Sequence, residues 1–146
     1  MKLQATALLV AICGLSGAAL GQDDHVAIFK NVTGTLKVIR NDADLNATSG
    51  MALLKSDKVV SAPGASGGIV FKDGTLLTVG SASEVEIRDY VFDPGNAKYA
   101  FALYLQKGTA IYSSGKIGKL SPESVNVATP RATVGVRGTR FIVKAE

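Results

Sequence analysis

The stretch of this chain with the most conspicuous chemical potential is "ATVGVRGTRFIVKA", residues 132–145. Gly135, Arg137, Gly138 and Arg140 interrupt an apolar run, a pattern that could grip a phosphate or a sugar, or could instead bend the backbone. A phosphate-cradling loop needs G-x-x-x-x-G-K-[ST] and a following helix, and neither is present. Phase gives a better account. Val134 and Val136 would point inward together, as would Phe141 and Val143, yet the step of five from Val136 to Phe141 is odd. A β-bulge near Arg137-Gly138 would absorb the extra residue and re-aim Arg137 toward a carboxylate such as Asp57 or Asp73. The expectation is a structural role.

Other residues could do chemistry, and each meets an obstacle. Glu84 and Glu86 share one strand face, roughly 7 Å apart, within the range of a glycosidase carboxylate pair. Hydrolysis also needs a cleft and divergent pKa values, whereas Arg88 beside them suggests a solvated surface. Asp42, Asp44 and Asn46 have the spacing of a calcium loop, but Ala47 replaces its glycine and Leu53 its bidentate glutamate. A polar connecting loop is the reading. His25 is the sole histidine, close to the expected mature N-terminus, so no histidine triad and no His/Cys metal cluster can be assembled. Tyr90, Phe92, Tyr99, Tyr104 and Tyr112 could line a carbohydrate-stacking face, although aromatic side chains are common strand residues in any case.

The elements that must position these residues read as short alternating strands. In "VTGTLKVIR", Val32, Leu36 and Val38 share a phase; in "SEVEIRDYVF", Val85, Ile87 and Val91 do; in "KYAFALYLQ", Tyr99, Phe101, Leu103 and Leu105 do, with Ala100 and Ala102 opposite. The last needs cover on both faces and predicts a central strand. Turn signals recur about every 8–12 residues, and Asp73-Gly74 between apolar runs predicts a type I′ hairpin. The fold class expected is all-β: a compact two-sheet sandwich or a short solenoid-like domain over residues 22–146, with no internal repeat.

Residues 1–21 have another character. Lys2, an apolar run beginning at Ala5, and small residues up to Gly21 make a secretory signal peptide, with cleavage expected between Gly21 and Gln22. A retained anchor and a lipidated Cys13 are the alternatives. Cleavage would leave no cysteine and hence no disulfide or thiol chemistry. The net charge of +4 comes from singly scattered basic residues, unlike the clustered patch of a nucleic-acid binder. The chain is therefore expected to be periplasmic or secreted, without a membrane span after cleavage, and to bind neither cofactor nor nucleic acid.

Laid out in order, these residues resemble the FecR-type periplasmic domain. The strongest match is "TPRATVGVRGTRFIV", with Thr129, Pro130, Ala132, Thr133, Gly135, Val136, Arg137, Gly138, Thr139 and Phe141 on the family signature. Turn residues Asp73, Gly74, Gly80 and Gly108 support it. The resemblance implies an envelope address, no catalytic residues and, for the family's named member, sensing of an occupied siderophore transporter with control of a sigma factor. It implies for this chain a non-enzymatic sensing or scaffolding module that binds an envelope protein. Binding of peptidoglycan or exopolysaccharide is the rival expectation.

Overall fold

The computed structural model describes residues 24–136 and 138–146; the leader, its Gly21–Gln22 junction and Arg137 lie outside the described residues. Twelve strands are present among the described residues: β1 (His25–Thr33), β2 (Leu36–Arg40), β3 (Ala43–Asn46), β4 (Ala52–Leu54), β5 (Lys58–Ser61), β6 (Ser66–Phe71), β7 (Leu76–Val79), β8 (Glu84–Asp93), β9 (Lys98–Ser113), β10 (Val125–Ala128), β11 (Thr133–Gly135) and β12 (Arg140–Ala145). A short helix, α1 (Lys116–Leu120), follows β9. The all-β class expected from the alternation is borne out, as one curled and mainly antiparallel sheet.

Strand β9 is the axis, as its two-faced apolar pattern predicts. Its first half pairs antiparallel with β8 and, over Phe101–Tyr104, parallel with β10. Its second half pairs with β7 on one side and β12 on the other. From β9 the sheet runs outward through β8, β5, β2 and β3 in one direction, and through β7, β6, β1 and β4 in the other. The inward faces of both halves share one core. Phe71 of β6 lies 4.8 Å from Phe101 of β9 and 5.3 Å from Tyr90 of β8, ring centre to ring centre. Burying one such ring stabilises the fold by about 1.5–3 kcal/mol, so this cluster joins the two halves.

The sheet turns its corner where β9 passes Gly108. That residue has φ +94°, and a β-carbon there would come within 2.5 Å of Ser83 Cα. Ser83 Oγ accepts from Thr109 N at 2.9 Å, and Gly80 N donates to Thr109 O at 2.9 Å. Ser61 Oγ donates to Gly80 O at 2.6 Å and accepts from Ser83 N at 2.8 Å. Both serines are buried, so their hydroxyls substitute for ladder bonds that the bend removes.

Three local expectations are corrected. The Asp73-Gly74 hairpin forms between β6 and β7, but with a three-residue loop. Gly74 N donates to Phe71 O, Phe71 N donates to Thr75 O, and only Gly74 has positive φ, +86°. That is a type I turn followed by a left-handed glycine. In β8 the register shifts between Ile87 and Asp89, so phase flips: Val85, Ile87 and Tyr90 are buried and Val91 is exposed. Finally, no bulged single strand spans residues 132–145. β11 pairs with β10 and β12 pairs with β9, and the chain leaves the ladder between Gly135 and Arg140. The odd step is absorbed by a crossing from one half of the sheet to the other. Val136 and Val143 are buried, whereas Val134 faces solvent.

Candidate functional site

The residues singled out for catalysis are dispersed into ordinary surface pairs. Lys58 Nζ lies 3.2 Å from Glu84, and Arg88 Nε lies 3.9 Å from Glu86. The suspected calcium residues form a hairpin: Asn41 and Asp42 take positive φ in a two-residue turn, and Asp44 and Asn46 lie on β3 opposite β2. The loop expected there is thus mostly strand, because a tight Asn-Asp turn lets the flanking residues pair at once. His25 begins β1. Among the described residues no group of three or more His, Cys, Asp or Glu could hold a metal ion.

The aromatic face is likewise divided. Tyr90 and Tyr112 are interior, at 7% and 1% exposure. Phe92 and Tyr99 form a tilted pair at 6.2 Å, partly packed against the core. Tyr104 is covered by the Arg88 guanidinium, 3.7 Å above its ring centre.

The two carboxylates considered for Arg137 have partners already. Asp57, buried, accepts from Arg40 Nε at 3.0 Å, from Arg40 Nη2 at 2.6 Å and from Leu54 N at 2.8 Å. The hydrogen bond to Asp57 holds the Arg40 pKa above its ordinary value, against the cost of burial. Asp73, also buried, accepts from Tyr90 OH at 2.9 Å, Thr75 Oγ1 at 2.7 Å, Thr75 N at 3.3 Å and Ile117 N at 3.1 Å. It therefore ties the β6–β7 turn to β8 and to the start of α1. Both oxygens of this buried carboxylate accept hydrogen bonds, as a buried polar group requires.

Of the signature residues, Thr129, Ala132, Gly135, Val136 and Phe141 line a cleft near the end of the chain. Thr129 and Ala132 close the β10–β11 turn: Thr129 N donates to Ala132 O at 2.7 Å and Ala132 N donates to Thr129 Oγ1 at 3.1 Å, with Pro130 at its exposed tip. Thr133 and Gly135 bound β11. Gly138, at φ +125°, and Thr139 each offer a carbonyl to Ser114, to its hydroxyl at 2.9 Å and its amide at 2.7 Å. Phe141 stacks on Tyr112 at 4.9 Å. Between β11 and β12 these elements leave a recess of about 410 Å³, lined by Val134, Val136, Phe141, Ile142, Val143 and Lys144 among others.

Both walls of that recess are sheet edges. Among the described residues β11 pairs only with β10, and β12 only with β9. Every residue of β11 is exposed, and Ile142 in β12 is 61% exposed. Sequence reasoning turned Val134 inward, which its exposure corrects, and left Ile142 unassigned. The available signal was Phe141-Ile142-Val143, three apolar residues in a row, of which alternation must turn one outward.

Residues 57–146 match the family described as FecR protein. The chain belongs to the FecR family. This match covers the corner glycines, the Asp73 network and both walls of the cleft. The FecR family is one of regulation and signalling, and an envelope-associated one. Compared with the curated proteins and with the solved structures, the chain finds no match. No helix among the described residues is long and apolar enough to cross a membrane.

Proposed function

We propose that this protein is an exported, non-enzymatic interaction module of the cell envelope of a Gram-negative bacterium, and that it engages a partner protein along the β11–β12 cleft. The observation that carries the reading is the meeting of two uncovered strand edges beside an apolar recess. Edge strands normally carry charges, bulges or cover that prevent pairing. Here β12 carries Arg140 and Lys144, but Val134 and Ile142 also present apolar side chains at the edges, which suits addition of a strand from a partner. FecR membership supports a sensing or signalling role connected with iron uptake. The signature residues act, in this reading, by shaping the cleft.

Cross-linking in cells that export the protein, followed by identification of the captured species, tests this. Val134→Lys and Ile142→Lys are expected to abolish capture while leaving the melting temperature unchanged, because both side chains already face water. Retention on insoluble peptidoglycan or cellulose, unaffected by these changes and lost with Tyr104→Ala, would overturn the reading in favour of a glycan.

A further inference from the structure

Charge is unevenly divided along this chain. Residues 94–146 carry eight basic residues (Lys98, Lys107, Lys116, Lys119, Arg131, Arg137, Arg140, Lys144) against two acidic ones, Glu123 and Glu146. Residues 1–93 carry eight basic against ten acidic. The structure turns this imbalance into a difference in pairing. Lys37, Arg40, Lys55, Lys58 and Arg88 each lie within 4.0 Å of a carboxylate. No cation after residue 94 enters an ion pair among the described residues, and the described ones are all exposed.

Two of these cations line the cleft and a third, Arg140, precedes its wall residue Phe141 in the chain. Lys144 lines the apolar recess and also, with Arg131, a second hollow of about 220 Å³ that continues it past Thr129 and Pro130. Arg140 opens β12 at the other end. Glu146 shares the second hollow, and among the described residues no ion pair joins it to Arg131 or Lys144. On the far flank of β11, the Glu123 carboxyl is held below the usual range by its own backbone amide and then by Ser121 Oγ, which donates to it at 2.8 Å. The cleft thus has an apolar floor, a free edge of six residues (roughly 20 Å of backbone) and a basic rim.

We infer that the cleft takes an extended acidic segment of a partner protein, with one apolar side chain in the recess and carboxylates against Arg131, Arg140 and Lys144. This rests on the interaction reading above and adds the chemistry of the partner. The edge of β12 supplies sequence-independent hydrogen bonds, the recess one apolar anchor, and the cations selectivity and attraction at a distance. An anionic membrane would meet the charges but would use neither the strand edge nor the recess.

Fluorescence anisotropy at low ionic strength tests it, with the purified protein and a labelled octapeptide alternating Glu and Val. The acidic peptide is expected to bind saturably, with affinity falling as salt rises, and the Lys–Val counterpart not to bind. The double variant Arg131→Glu with Lys144→Glu should weaken binding at least about tenfold, and Lys98→Glu with Lys107→Glu less than about twofold. Absence of saturable binding, equal loss from both double variants, or phosphatidylglycerol vesicles binding with the same dependence on Arg131 and Lys144 would overturn the inference. Should cellular capture depend on Val134 and Ile142 while the acidic peptide fails to bind, the chemistry inferred here falls and the interaction reading stands.

Discussion

Tyr90 and Tyr112 share the core and differ by two hydrogen bonds. Tyr90 OH donates to Asp73 and accepts from the Asp73 amide, whereas the Tyr112 hydroxyl is buried without a hydrogen-bond partner. Ser114 and Thr75 lie near enough to Tyr112 to favour its anion slightly, yet neither makes a well-formed bond to it. Tyr90→Phe should therefore cost about 1–2 kcal/mol, and Tyr112→Phe should be neutral or stabilising by up to about 1 kcal/mol, read from urea midpoints at pH 7. Burial raises both phenol pKa values above the ordinary 10.0, and the Asp73 charge adds to the rise for each. A group whose folded pKa is raised stabilises the fold below its unfolded pKa, and that contribution is lost as pH rises through the folded value. Stability should therefore fall above about pH 10, and Tyr112→Phe should make that fall shallower while Tyr90 keeps its onset in place.

At the scale of elements, the corner between β7, β8 and β9 is what allows one sheet to enclose a core. Gly108 and Gly74 both have positive φ, but only Gly108 faces another backbone. Gly74→Ala should cost about 1–2 kcal/mol from backbone strain alone. Gly108→Ala adds overlap with Ser83 and should cost roughly 2–4 kcal/mol, measured by thermal or urea unfolding. Much of this element layer was legible in the sequence. The alternation of Phe101, Leu103 and Leu105 gave β9 its central place, and Asp73-Gly74 gave its hairpin. The bulge at Arg88–Asp89 was not legible, because an unbroken alternation through Val91 fits a regular strand equally well. Only the competition for the core between Tyr90 and Val91, decided by Asp73, selects the shifted register. The change of pairing partner between β11 and β12 was half legible. The odd step disclosed that the phase must break, but which neighbours each side would pair with depends on distant strands β9 and β10. The cleft was the least legible part, since its walls come from strands that meet only after the sheet curls.

For the whole molecule, the chain divides its labour. The part before residue 94 has its charges largely paired and much of its apolar surface buried. The part after it lays two strand edges, uncovered among the described residues, beside a cleft lined by Arg131 and Lys144. That arrangement makes the account testable in one scan. A photo-cross-linking amino acid is placed singly at Val134, Ile142, Lys144, Asp44, Lys55 and Lys98, and the exported protein is irradiated in living cells. Adducts to one protein from Val134, Ile142 and Lys144, with none from Asp44, Lys55 or Lys98, are the expected result. Adducts confined to Asp44, on β3, or Lys55, in the β4–β5 connection, would contradict the placement of the interaction surface between β11 and β12.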